Sequence, residues 1–253
     1  MAKYLKLFET TAAYEAAESS LILPNVSLTV DNNTVHYNPF VDPCASEKVE
    51  TTYEWVEIGG VKWATKNVGA KTITDFGQKF SWGGVNGYTN DQVSGSCHAF
   101  SWTDYEFGNG TSSPGATGMT KYNSTDGKTV LDAEDDAATV NMGSGWRMPT
   151  IAEFQALGTA TTSAWTANYE GSGVAGLVLT SKADSNVKLF FPAAGYCNDG
   201  SVYLVGSSGQ FWSRSLYLPN MQFAYNIYFN SDYAYWNNYY SRRSGYSVRG
   251  VVG

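Results

Sequence analysis

The side chains with the greatest chemical reach are few in this chain and poorly arranged for catalysis. Its three cysteines, Cys44, Cys97 and Cys197, are an odd number, widely spaced, with no CxxC pair and no metal-ligand pattern. They read as reduced, buried thiols. With only His36 and His98 present, a histidine-based metal site or a Ser-His-Asp triad has almost no raw material. Cys97 and His98 are sequence neighbours, and neighbours in a strand point to opposite faces, so the pair predicts no dyad. Asp132, Glu134, Asp135 and Asp136 could offer oxygens to a hard cation, but a solvated or helix-starting acidic run is the commoner arrangement. No enzyme, cofactor or metal is expected.

Recognition by shape has much better material. The stretch from Phe211 to Val252 crowds aromatic and amide residues between turn formers: Tyr217, Asn220, Gln222, Phe223, Tyr233, Tyr235, Trp236, Asn238, Tyr239 and Tyr240. Tyr and Trp give large, rigid contact area at low entropic cost, while Asn and Ser give adaptable hydrogen bonds, as in antibody paratopes. With Arg214, Leu216, Leu218 and Asp232 they make the candidate ligand-binding set. The alternative is a tyrosine-rich edge of an ordinary sheet, because aromatics are also common strand residues.

The elements that must position this segment are legible as periodicities. Tyr225, Ile227 and Phe229 alternate with Ala224, Asn226 and Tyr228, which predicts a half-buried strand with the first three in the core; Tyr246 and Val248 continue the period. In GWRMPTIAEFQALG, Thr150 and Glu153 form a capping box. Ile151, Phe154 and Leu157 share one helical face, and Gly158 is expected to close the helix. Val56, Ile58, Val61 and Trp63 flank Gly59-Gly60 as a hairpin. Strands are expected over 176–181 and 187–191, joined by an Ala183-Asp184-Ser185-Asn186 turn. Between Phe76 and Gly145 the chain reads as long loops pinned by Trp82, Tyr88, Trp102, Tyr105 and Phe107. Residues 1 to about 50 read as a small separate unit, with a short helix over 12–19 and a hairpin turning at Asp31-Asn32-Asn33-Thr34. Trp146, Arg147, Trp212 and Arg249 are expected to hold the sheet and loops together, each guanidinium on carbonyls or a carboxylate.

A net charge of −7 with no clustered Lys and Arg argues against nucleic acid as a partner; Arg242-Arg243 is the nearest approach to a basic run. No stretch reaches the roughly 20 apolar residues of a membrane span, so no membrane insertion is expected. The start, MAKYLKLFETTAAYEAAESS, lacks the apolar run of a secretion signal.

Taken in order, EWVEIGGVKWATKNVG, FGQKFSWGG, DDAATVNMGSGWRMPTIAEF, FFPAAGY and GQFWSRS…YSVRGVV resemble the Fibrobacter succinogenes major paralogous domain, a branch of the C-type lectin fold found in Bacteroidales, over residues 53–252. Within that fold the chain is similar to variable proteins of diversity-generating retroelements. There a WSS-like strand and a terminal SVR strand stay fixed while residues between them are rewritten at template adenines. Trp212, Ser213 and Ser215 match the first element, and Ser247, Val248 and Arg249 the second. The resemblance implies an α+β fold of C-type lectin type, with small mixed sheets, one or two helices and long irregular loops. This would follow an N-terminal helix-plus-hairpin unit and carry a variable region at about 211–246.

The start, through KLFETTAAYEAA and LPNVSLTVDNNTVHYNP, resembles N-terminal segments of Bacteroidales phage virion proteins. The expected function is therefore a receptor-binding tip of a phage or prophage tail, made in the cytoplasm without a signal peptide and located in the virion. Its partners would be a host cell-surface protein or glycan, and other virion proteins through residues 1–50; a homotrimer fits a fibre tip. Alternatives are a carbohydrate-binding domain without catalysis and a purely structural spike. Leu218-Pro219-Asn220 and Trp236-Asn237-Asn238 echo the EPN and WND calcium motifs of sugar-binding lectins, but lack their carboxylates. Formylglycine-generating oxidases, which share a related fold, need a pair of active-site cysteines that the scattered thiols here do not suggest.

Overall fold

The computed structural model describes residues 28–31, 34–37, 53–89 and 95–253. The chain divides into two compact units, Met1–Thr52 and Tyr53–Gly253. In the first, β1 (Leu28–Asp31) and β2 (Thr34–Tyr37) pair antiparallel with Asp31 opposite Thr34, so a two-residue link closes the hairpin. The helix expected over 12–19 and Cys44 lie outside the described residues.

The second unit carries three sheets. β3 (Trp55–Ile58), β4 (Val61–Asn67), β5 (Trp146–Arg147) and β14 (Arg249–Val252) form one, in the order β3-β4-β14-β5. The β3–β4 turn is Gly59-Gly60, both at positive φ (64° and 77°), the backbone a two-residue hairpin requires. β6 (Thr161–Thr166), β7 (Gly176–Ser181) and β8 (Lys188–Pro192) make a meander. The largest sheet has the order β10-β9-β11-β12-β13, from β9 (Ala194–Asn198), β10 (Ser201–Val205), β11 (Ser208–Leu216), β12 (Phe223–Asn230) and β13 (Ala234–Ser241).

Against these twelve strands stand, among the described residues, two α-helices, α1 (Ala137–Met142) and α2 (Ile151–Ala160), of six and ten residues. The α+β class expected from the sequence is corrected accordingly: the fold is β-rich. The cause lies in where apolar periodicity occurs. Between Tyr53 and Gly253 one described segment holds a helix of ten residues, whereas the chain after Thr161 is nearly continuous hairpins, and hairpins pair with what precedes them.

Helix α2 forms as its capping box predicts. Thr150 Oγ1 accepts from Glu153 N–H at 3.2 Å, while the Glu153 carboxylate accepts from Thr150 N–H at 2.7 Å. Its stripe, Phe154 and Leu157, is buried with Trp63, Phe191, Phe211, Ile227 and Phe229. The helix does not stop at Gly158 but runs to Ala160. Gly158 serves contact instead: a Cβ there would meet the Trp236 ring at 2.7 Å.

The long irregular segment is held to the sheets by buried indoles and guanidinium groups. Trp82 Nε1 donates to Ser213 O at 2.9 Å and Trp212 Nε1 to Phe80 O at 2.8 Å. Arg242, fully buried, donates to Tyr105 Oη and to the carbonyls of Lys121, Tyr122 and Met221, all within 3.1 Å. Arg249, also fully buried, reaches Ala64 O, Thr65 O, Phe190 O and Asn67 Oδ1, with its guanidinium 4.6 Å from the Phe191 ring centre. Burial pulls its pKa down to about 9, which leaves it cationic at neutral pH. Arg147 forms the third clamp, a bidentate pair with Glu153 at 2.8 and 2.6 Å.

Candidate functional site

β12 and β13 form an antiparallel hairpin at one edge of the five-stranded sheet, and their register decides which side chains face out. Tyr225 stands opposite Tyr239, and Tyr228 opposite Tyr235. Asn226 faces Asn238 and Tyr228 faces Tyr235, which leaves one extra residue on β13 at Trp236-Asn237, while β12 keeps an unbroken register with β11 from Asn226 to Asn230. Both sides of β12 are covered: Ala224 packs with Trp212 and Leu216 on one, and Ile227 and Phe229 pack with Phe211 on the other. Alternation places Tyr225 on the side of Ile227 and Phe229. It is only half-buried there, at the end of the strand where Tyr217 and Tyr239 adjoin it. Ile227 and Phe229 are core residues as expected, as are Tyr246 and Val248.

The exposed and half-buried tyrosines of the hairpin form two groups, one on each side of the strands. Tyr217, from the turn after β11, stacks on Tyr239 with ring centres 3.9 Å apart at 11°, and meets Tyr225 edge-on at 5.2 Å. Phe223 closes this group, 6.0 Å from Tyr239. The hydrogen bond between the Tyr217 and Tyr239 phenols raises the pKa of Tyr217. At the other end of the hairpin, Tyr233 lies 4.8 Å from Tyr235, and Tyr228 lies 5.9 Å from Tyr233. Tyr239 pairs with Tyr225 and Tyr235 with Tyr228, three residues apart on β12, so the two groups lie on opposite sides of the hairpin. Tyr235 is 55% exposed and Tyr239 45% exposed, and Asn237 between them is exposed.

The remaining candidates separate by position. Leu218 is exposed and Asn220 and Gln222 half-buried in the β11–β12 turn, where Asn220 Oδ1 accepts from Gln222 N–H at 3.1 Å. Asp232 is exposed in the β12–β13 turn. Five others do not join the tyrosine surface. Leu216, 2% exposed, packs in the core with Trp212 and Ala224. Arg214 is turned to the loops: it donates to Leu131 O and lies 3.7 Å from the buried Asp136 carboxylate. Trp236 covers Gly158 of α2, and the Asn238 amide donates to Asn226 Oδ1 at 3.0 Å. Tyr240 is exposed, but it pairs with inward Ala224 and its ring lies 6.0 Å from buried Tyr246, on the face opposite Tyr239. Their sequence signal was aromatic or polar type, which does not report the side of a strand. Tyr225 and Tyr228 were missed for the same reason.

The acidic cluster is already occupied by a protein cation. Lys121 Nζ lies 3.3 Å from Asp132 and 3.0 Å from Glu134, with Asp135 closer still, so the three carboxylates that converge there are bridged by an ammonium. Asp136 points away from them and caps α1, accepting from Ala138 and Thr139 N–H, and from Met148 N–H. Trp236 and Asn238, the positions echoing a calcium motif, are likewise spent on internal contacts. Arg243, from the only paired arginines, forms a surface salt bridge to Asp199 at 2.6 Å. Among the described residues no helix is long and apolar enough to cross a membrane.

A family model described as "Domain of unknown function (DUF8237)" matches residues 179–251, from the end of β7 through β14, and so spans the tyrosine hairpin. No curated protein and no solved structure matches the chain. What the chain is similar to is thus a domain, located on its C-terminal sheets, whose function has not been assigned.

Proposed function

We propose that this chain is a non-catalytic adhesin that binds a host cell-surface protein or glycan through the exposed side chains of the β12–β13 hairpin, and that the surface is one diversified by a retroelement. In this reading it forms the tip of a phage or prophage tail, with residues 1–50 contacting other virion proteins. The observation that carries the proposal is the division of labour along β13: Tyr235, Asn237 and Tyr239 are exposed, while Ala234 and Trp236 pack on the core and Asn238 bonds to buried Asn226. Exposed side chains can change without altering the packed ones, which a surface under diversification requires. Rigid tyrosines at the two ends of the hairpin suit anchor contacts, with Asn237 and the turn residues adding hydrogen bonds. Display in several copies would raise the strength of weak single contacts through effective concentration.

The direct test is binding of the fluorescently labelled chain to a panel of gut bacteria, beside a Tyr217→Ala/Tyr235→Ala/Tyr239→Ala variant shown by circular dichroism to be folded. Saturable binding to some strains, lost in the variant, is expected; equal binding by both proteins refutes the surface assignment. The retroelement part has its own check in the flanking DNA. A near-copy of the 3′ end of the gene, differing at adenines and lying beside a reverse transcriptase gene, is the expected finding.

A further inference from the structure

Cys97 and Cys197 are far apart in sequence, yet the fold brings their thiols into hydrogen-bonding contact. Cys197 lies in β9, fully buried, with its N–H donating to Gly245 O at 2.9 Å. Cys97 belongs to the short segment that lines the outer edge of β10. There Val202 N–H donates to Gly95 O at 2.9 Å, Cys97 N–H donates to Gly200 O at 3.2 Å, and Ser96 bridges to Ser201. The Cys97 thiol also donates to Ser201 O at 3.4 Å and is only half-buried, so one sulfur of the pair reaches solvent.

A third group completes the cluster. Lys79 is fully buried, and its Nζ donates to Gly195 O at 2.7 Å and Ser247 Oγ at 3.0 Å, close enough to interact with both thiols. No carboxylate pairs with it among the described residues. Burial pushes its pKa down to about 7 and raises both thiols. A neutral amine has two N–H donors, and those two acceptors use both, which leaves the nitrogen lone pair for a thiol proton.

We infer that Cys97 and Cys197 are a dithiol site, oxidised to an intramolecular disulfide by a low-molecular-weight disulfide. Accessible Cys97 loses its proton and attacks one sulfur of the reagent RSSR, forming a mixed disulfide and releasing RS⁻, which takes up that proton as RSH. Cys197 passes its proton to Lys79 Nζ and attacks Cys97 Sγ, expelling the second RS⁻, which receives the proton from Lys79. Two protein thiols and one RSSR thus become one protein disulfide and two RSH, with both electrons passing to the reagent. The sulfurs must close to about 2.05 Å. The segment at 95–97, tied by a few backbone links rather than held inside a sheet, is the side that can move. The bond would staple it to β9, next to Tyr196, which stacks on Tyr203 of β10 at 5.1 Å.

The test uses the full chain carrying Cys44→Ser, incubated in native buffer with oxidised glutathione, then denatured for thiol titration, intact mass and peptide mapping. Loss of both thiols with a mass decrease of about 2 Da, a Cys97–Cys197 linked peptide, and reversal by dithiothreitol are expected. Adding Cys97→Ser should abolish the mass loss and protect buried Cys197 from glutathionylation. Two thiols that stay titratable, a glutathione adduct that persists on Cys97, or a disulfide only between molecules would each overturn the inference.

Discussion

An alanine scan along β13 puts the alternation itself under test. The Tyr235 ring lies 4.8 Å from that of Tyr233 and 6.4 Å from that of Tyr228, and more than half its surface meets water. Removing it forfeits a partial aromatic contact, about 0.5–1 kcal/mol. Tyr239 loses one stacked partner, Tyr217, for about 1 kcal/mol. Trp236 lies between them and packs on α2 beside Ile227 and Phe229. A fully buried Trp→Ala change costs about 3–5 kcal/mol, so half-buried Trp236 should cost about 2–3. For a unit of this size each kcal/mol moves Tm by about 2–4 °C. Trp236→Ala should therefore lower Tm by about 5–10 °C, against about 2–4 °C or less for Tyr235→Ala or Tyr239→Ala. Urea unfolding followed by far-ultraviolet circular dichroism measures this without relying on the tryptophan signal, and unchanged m-values would show that the folded state is conserved. A Tyr235→Ala loss equal to that of Trp236→Ala would refute the assignment of an outward face, and with it the proposed binding surface.

Three further outcomes follow from the packing. Gly158→Ala should destabilise by about 1 kcal/mol or more despite the better helix former, because the new methyl is forced against the Trp236 ring; the same change with Trp236→Ala should be neutral or stabilising by urea titration. Arg249→Met leaves four buried acceptors without a donor and should cost about 3–5 kcal/mol, read as a large fall in the urea midpoint; a change under about 1 kcal/mol contradicts the clamp role. Burial raises the Glu153 carboxyl, but the Arg147 pair and the Thr150 amide outweigh it, so its folded pKa lies below the usual 4.5. Its contribution is then complete above pH 4.5 and is lost as pH falls through the lowered value. Glu153→Gln should flatten the acid limb of a Tm-against-pH curve, and an unchanged slope would show that this carboxylate is not coupled to folding.

Local signals were read from the sequence with success where the chemistry is local. The Thr150/Glu153 box satisfies backbone donors three residues away, and Gly59-Gly60 supplies positive φ inside a two-residue turn, so neither depends on distant chain. The burial of Phe154, Leu157, Tyr246 and Val248 was likewise carried by period alone. The reading failed where a position's meaning depends on a partner elsewhere. One extra residue at Trp236-Asn237 puts Tyr235 and Tyr239 on opposite sides of β13, and nothing in the local pattern distinguishes a bulged strand from a regular one. Arg242 is the clearest case: in the sequence it is half of the nearest approach to a basic run, and in the fold it is the buried clamp of the loop around Tyr105 and Tyr122.

By itself, then, the sequence determined that aromatic and amide side chains are concentrated near the carboxyl end, where the turns fall, and which segment becomes the long helix. All of these follow from residue type and short-range periodicity. Tertiary structure alone decided that tyrosines 217, 225 and 239 gather on one side of the hairpin and 228, 233 and 235 on the other, that Trp236 and Leu216 join neither group, and that Cys97 meets Cys197 beside Lys79. Strand register and long-range pairing are set by the summed fit of whole sheets, and a single stretch of chain carries only its own share of that fit.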